Sequence, residues 1–193
     1  RCLARCHERL GEHELAIAGY ATSTAAAELG GLRGLVDHNL VAQTLYWAGD
    51  CMVELERWTD AIALLERARV ELVRGDHNGR VDLKLAADVE FPLGIARYES
   101  GELEAARAAW SRAAEALASL TPIDHVQLGS CFRRIAAAWV DEGRPELGVE
   151  WYERAITKVR LGDAAGLVDE AHLRDCEAAL ELARAAALSC RRP

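Results

Sequence analysis

Residues 101–117 read GELEAARAAWSRAAEAL, and this stretch decides the fold because it can be found again three times in the chain. Small residues stand five and twelve places after its glycine, Ala106 and Ala113, and a large aromatic, Trp110, stands nine places after it. The same signature runs through Gly11, Ala16, Tyr20 and Ser23, through Glu56, Ala61, Leu65 and Ala68, and through Gly143, Gly148, Tyr152 and Ala155. Its first position therefore recurs after 45, 45 and 42 residues. A fixed period between about 20 and 50 residues marks a repeat array.

Each repeat reads as two helices. From about Asp37, Leu40, Val41, Leu45, Ala48, Met52 and Leu55 fall three to four places apart, which puts one apolar stripe on a helix. Glu56 to Trp58 make the turn, Thr59 is the expected cap of the next helix, and that helix runs to about Arg74 before the loop Gly75 to Gly79. In the third pair Pro92 falls inside the first helix and predicts an irregularity at Glu90 and Phe91, since proline lacks the donor its helix needs. Thr121 as cap with Pro122 at the first helical position opens the fourth pair, and Pro145 opens its second helix. Residues 167–187 carry Leu173, Cys176, Leu180, Ala183 and Ala187 on one stripe, where the first helix of a fifth pair is due.

The expected architecture is all-α: a right-handed superhelical solenoid of antiparallel helix pairs, about nine helices, in a single domain over residues 1–193. Its units are expected at about 1–30, 37–74, 81–119 and 122–160, with a terminal helix at 165–188. The chain opens on Arg1 inside an expected helix, so it is expected to be a fragment of a larger protein.

Composition fits close-packed helices. Hydrophobic residues make up 51% of the chain, yet only two are Phe and one is Met, and much of the remainder is alanine. Small side chains suit helices that cross at short distance. No apolar run is long enough to span a membrane. The net charge of −8 repels a phosphate backbone, which argues against nucleic acid. Six cysteines lie without paired spacing, which fits reduced thiols in a cytoplasmic protein. Cys2, Cys6 and His7, and separately His172 with Cys176, are helix-spaced pairs that could ligate zinc or pair a thiol with a base. Neither has companions in sequence, so no metal, no cofactor and no catalytic residue is expected. Phosphate-loop, dinucleotide, HExxH and GxSxG motifs do not occur.

Two helices per unit, the pairs Ala48-Gly49, Leu93-Gly94 and Ile135-Ala136 in the first helix, the turn glycine, and the small, aromatic, small triple in the second together resemble tetratricopeptide repeats. Three departures stand out: units of 42 to 45 residues against about 34 in the family, Glu56 at a turn-glycine position, and Gly148 at an alanine position. Long units of this type are similar to those of bacterial signalling proteins.

The resemblance implies a non-enzymatic scaffold whose first helices line a concave groove for a protein or peptide. By family register the groove residues are Arg5; then Gln43, Tyr46, Asp50 and Glu54; then Asp88, Phe91, Ile95 and Tyr98; then Ser130, Arg133, Ala137 and Asp141. Asp88 and Pro92 stand where repeats that clamp a terminal carboxylate carry basic residues, so that ligand is not expected. The alternative reading is a sensor domain of a larger signalling ATPase, transcription activator or caspase-like protease, binding a small molecule or short peptide. The sequence leaves the oligomeric state open.

Overall fold

The computed structural model describes residues 2–30 and 35–190; of these, the side chains of Cys2, Leu3, Cys6 and Cys190 are not described. Among the described residues there are nine helices and no strand: α1 (Cys2–Arg9), α2 (His13–Glu28), α3 (His38–Glu54), α4 (Trp58–Arg74), α5 (Leu83–Glu99), α6 (Leu103–Ala118), α7 (His125–Asp141), α8 (Pro145–Val159) and α9 (Glu170–Cys190). The contacts gather into two compact units, residues 1–101 with α1 to α5 and residues 102–193 with α6 to α9.

The two kinds of helix start differently. The first helices α3, α5 and α7 are each capped by an aspartate whose carboxylate accepts the N–H three residues on: Asp37 from Leu40 at 3.2 Å, Asp82 from Leu85 at 3.0 Å, and Asp124 from Gln127 at 2.9 Å. A carboxylate there satisfies an orphan donor and meets the positive end of the helix dipole. Asp169 does the same for His172 at 2.9 Å, so α9 begins as a first helix does.

The second helices α2, α4, α6 and α8 have no side-chain cap. They emerge instead from a left-handed turn residue, Gly11, Glu56, Gly101 or Gly143, with φ of 74°, 56°, 80° and 80°. Glu56 thus adopts the conformation that glycine supplies in the other three turns, at the strain a Cβ imposes there.

The repeated signature is the core. Tyr20, Leu65, Trp110 and Tyr152 are buried, as are Ala16, Ala61, Ala106, Ala68, Ala113 and Ala155. Close approach explains the small residues. A Cβ on Gly49 would come within 2.7 Å of the Leu65 side chain, and one on Gly129 within 2.6 Å of Val159. At Gly148 it would lie 2.5 Å from Val140 and 3.1 Å from the Ala136 carbonyl oxygen, so the departure from alanine is required by how tightly α7 and α8 cross. Tyr20 and Ala16 share one core with Ala4, Ala48 and Cys51. Tyr152 and Ala155 share another with Ala136, Val159, Cys176, Leu180 and Ala183.

Several local expectations are corrected. α5 runs unbroken through Pro92, because Leu85, Val89, Leu93 and Ala96 are all buried along it and that burial outweighs the roughly 3 kcal/mol a mid-helix proline costs. Thr59 lies inside α4 and caps nothing; the cap residue is Arg57. The cap of α7 is Asp124 and not Thr121, and Pro122 lies before the helix after a cis Thr121–Pro122 bond. The ionised carboxylate is the better acceptor for a helix N-terminus than the hydroxyl. Pro145 opens α8 as expected, and Gly30 closes α2 with φ 64°, while Gly31 lies outside the described residues.

The loops before α5 and α9 are one device used twice. In residues 75–80, Asp76 accepts from the N–H groups of Asn78 and Arg80 at 2.7 and 2.9 Å. In residues 162–167, Asp163 accepts from those of Ala165 and Leu167 at 2.8 and 2.9 Å. Turn chemistry thus accounts for both.

Two substitutions test this packing. Ala106→Leu and Gly148→Ala should each lower stability by roughly 1 to 3 kcal/mol, read as a fall in urea midpoint with unchanged slope. An unchanged midpoint for both would contradict the close crossing.

Candidate functional site

In the unit of residues 1–101 the first helices α1, α3 and α5 bring side chains to one another. α3 packs on α5, and α1 reaches α3 through Arg5, whose guanidinium lies 5.4 Å from the centre of the Trp47 ring. Trp47 in turn packs at 5.5 Å on Tyr20, while Arg5 itself is exposed.

Three carboxylates act on Asp50 of α3: Glu54 of the same helix, Glu8 of α1 and Asp88 of α5. Asp50 is half-buried, and no described group forms an ion pair with it or with Glu54. Burial first, then the charges of Glu54, Glu8 and Asp88, push the Asp50 carboxyl up to about 6, against a smaller opposing pull from His13. Glu8 is held in place by the Tyr20 hydroxyl, which donates to it, and Asp88 is paired with Lys84. Tyr46, one turn before Asp50, is half-buried; burial and then Asp50, Asp88 and Glu8 raise its phenol above the usual range.

Elsewhere in this unit charges are matched. Arg57 pairs with Glu14 and Asp60, Arg67 with Glu28, Arg97 with Glu66, and Glu71 accepts from Arg74 and lies 2.6 Å from His38. The first-helix face therefore carries, at Asp50 and Glu54, carboxylates without an ion pair, beside the Lys84–Asp88 pair.

Of the remaining expected residues here, Gln43, Phe91, Ile95 and Tyr98 are half-buried and Glu54 is exposed. Glu8 and His13 were missed by the sequence reading. Glu8 lies three residues after Arg5, one turn along the same helix face, and that spacing was the available signal.

In the unit of residues 102–193, α7 carries Ser130, Arg133, Ala137 and Asp141; Asp141 is exposed and the others are half-buried. The Ser130 hydroxyl donates to the Val126 carbonyl at 3.1 Å and lies 3.2 Å from Nε2 of His172 on α9. Arg133 acts electrostatically on His172, Cys176 and Tyr152 together. Burial, then Arg133, lowers the proton affinity of His172 below that of an ordinary histidine.

Cys176 lies 3.9 Å from that imidazole, but burial pushes its thiol up to about 11, so it is no thiolate nucleophile near neutral pH. Cys51 and Cys131 are also free and buried, with thiols pushed up to about 12. Among the described residues no three His, Cys, Asp or Glu side chains are placed to hold a metal ion; Cys2 and Cys6 fall outside that set. No helix among them is long and apolar enough to cross a membrane.

Residues 43–71, most of α3 and α4, match the family model of the tetratricopeptide repeat. The fold is that of tetratricopeptide-repeat proteins. Solved structures agree over nearly the whole chain. The crystal structure of BtubC (BKLC) from P. vanneervenii superposes with a TM-score of 0.81 at 17% identity, over 96% of this chain and 70% of that one. The tetratricopeptide-like repeats of a Podosopora anserina putative kinesin light chain give 0.63 at 15% identity, over 99% and 94%, and MamA gives 0.59 at 17%, over 96% and 95%. At such identities the likeness is one of fold. Comparison with curated protein sequences gave no match.

The raised Asp50 carboxyl has a thermodynamic consequence. Its folded value lies above the unfolded one, so the native state binds the extra proton, and stability falls as pH rises from about 4 through about 6. Asp50→Asn should therefore stabilise the chain at pH 7.5, by an amount on the order of 1 to 3 kcal/mol, and should lose that advantage near pH 4. Thermal melts of both proteins at the two pH values check this.

Proposed function

We propose that the chain is a non-enzymatic interaction scaffold whose first-helix faces bind a protein or peptide segment. What supports this reading is the group of carboxylates on the first helices: Asp50 and Glu54 make no ion pair among the described residues, and Glu8 and Asp88, the latter paired with Lys84, add their charge at Asp50. A face on which burial and like charge raise one carboxyl, at a cost in stability, suits an external cation. Tetratricopeptide arrays characteristically use extended concave surfaces for binding. The face of residues 1–101 suits a segment bearing Lys or Arg. Each incoming cation would find a half-buried carboxylate, where charge-assisted hydrogen bonds are stronger than in open water.

Tyr46 supplies an apolar, polar-tipped surface beside those carboxylates, the kind of side chain that anchors protein contacts. Gln43, Phe91, Ile95 and Tyr98 extend that reading along α3 and α5, and Ser130, Arg133 and Asp141 carry it onto α7. A cationic segment binding here would displace the proton from Asp50, so affinity should rise with pH between about 5 and 7.

The test uses a Lys- and Arg-rich helical peptide, a Glu-rich helical control of the same length, and the chain with Tyr46→Ala combined with Asp50→Asn. The parent should bind the basic peptide and ignore the acidic one. The double variant should bind at least about tenfold more weakly with its helix content intact. Equal binding by parent and variant would place the contact surface elsewhere.

A further inference from the structure

We propose that Arg133 on α7 and His172 on α9 form a site for a phosphate group, with Ser130 holding the imidazole in place. The inference extends the reading of first-helix faces as docking surfaces to the unit of residues 102–193. Its test uses phosphate itself, so the two can fail separately.

Arg133 is the observation that carries it. Half-buried Arg69 and Arg97 pair with Glu66, and buried Arg107 pairs with Glu142 at 3.0 Å while stacking 3.7 Å from the centre of the Trp139 ring. Arg133 has no such partner among the described residues. It donates to no carboxylate or carbonyl and stacks on no ring, so that its buried Nε, which like Arg97 Nε lacks an acceptor, belongs to a guanidinium with no ion pair. Leaving a buried charged donor unmet is costly, and a planar fork of N–H groups is the geometry that takes two oxygens of a phosphate or carboxylate at once.

His172 separates the two anions. Ser130 gives its proton to the Val126 carbonyl, so its oxygen is left to accept from Nε2–H of His172. In that tautomer, with the Cys176 sulfur 3.9 Å from the same nitrogen, Nδ1 is left to take up a proton. In the unliganded chain burial and Arg133 keep the imidazole neutral, while Asp169 and Asp175 pull the other way. A bound anion cancels the repulsion from Arg133 and favours the imidazolium. Guanidinium and imidazolium together offer two positive charges, which match a phosphate dianion and over-match a carboxylate.

Proton uptake on binding gives the sign of the pH effect. Affinity for an anion of constant charge should rise as pH falls through the histidine range, between about 8 and 5. The direction is opposite to that expected for a cationic segment on Asp50.

The experiment follows the side-chain N–H signals of Arg133 and His172 by NMR in the 193-residue chain, titrated with inorganic phosphate, a phosphoserine peptide, acetate and sulfate. Saturable shifts with phosphate and the phosphopeptide, reached at about tenfold lower concentration than with acetate, are expected. Tighter binding of the phosphopeptide assigns a protein-borne phosphate, and equal binding assigns the free ion. Sulfate, which keeps its charge over this range, should bind more tightly as pH falls in the parent and independently of pH in His172→Gln. Arg133→Gln should lose about tenfold or more in phosphate affinity, and Arg133→Lys, which keeps the charge without the fork, should lose part of it with melting unchanged. Shifts that do not saturate, acetate binding equal to phosphate, or full retention of binding in both Arg133 variants would overturn the proposal.

Discussion

The close crossing of paired helices is the constraint on which the rest of this structure depends. Gly49 against Leu65, Gly129 against Val159 and Gly148 against Val140 leave no room for a single added methyl group. Paired helices held at that distance within a unit need a short turn, and the turn needs a residue with positive φ, as at Gly11, Glu56 and Gly143. The same crossing buries one large residue of each second helix, and so turns the opposite face of each first helix outward. In this way packing in the pairs determines which side chains of α3 and α7 remain available.

Much of this was legible because it is periodic. The register of the turn residue, the two small residues and the large buried residue appears directly in the spacing of Gly101, Ala106, Trp110 and Ala113 and their equivalents. A second periodic signal passed unread: Asp37, Asp82, Asp124 and Asp169 recur at 45, 42 and 45 residues and cap the four helices that follow them. Reading it would have moved the start of α7 from Thr121 to Asp124. Pro92 misled for a different reason. Local propensity for a break is real, but it competes with burial of a whole helix face, which no window of sequence around the proline contains.

The binding face was less legible because charge matching is a property of space and not of sequence. Asp50 and Arg133 look like any exposed polar residues of an amphipathic helix. Glu54 lies one turn from Asp50 on α3, but only the folded arrangement brings the charges of Glu8 and Asp88 to bear on Asp50, and leaves Arg133 without an acceptor near His172. The matched pairs Arg160–Glu177 and Arg184–Glu153 between α8 and α9 show the contrast. Exposed pairs of that kind add little stability. The lack of such a pair at Asp50 and at Arg133 is better read as an opening for a partner than as a deficit in the fold.

The measurement that bears most directly on this account is the titration of the Asp50 side-chain carboxyl, followed by carbon-detected NMR in the unliganded chain. Burial, joined by the negative charges of Glu54, Glu8 and Asp88, predicts a midpoint of about 6. A midpoint near the ordinary aspartate value of about 3.9 would mean that the face is already balanced within the fold, and would contradict the claim that it is arranged for an external cation.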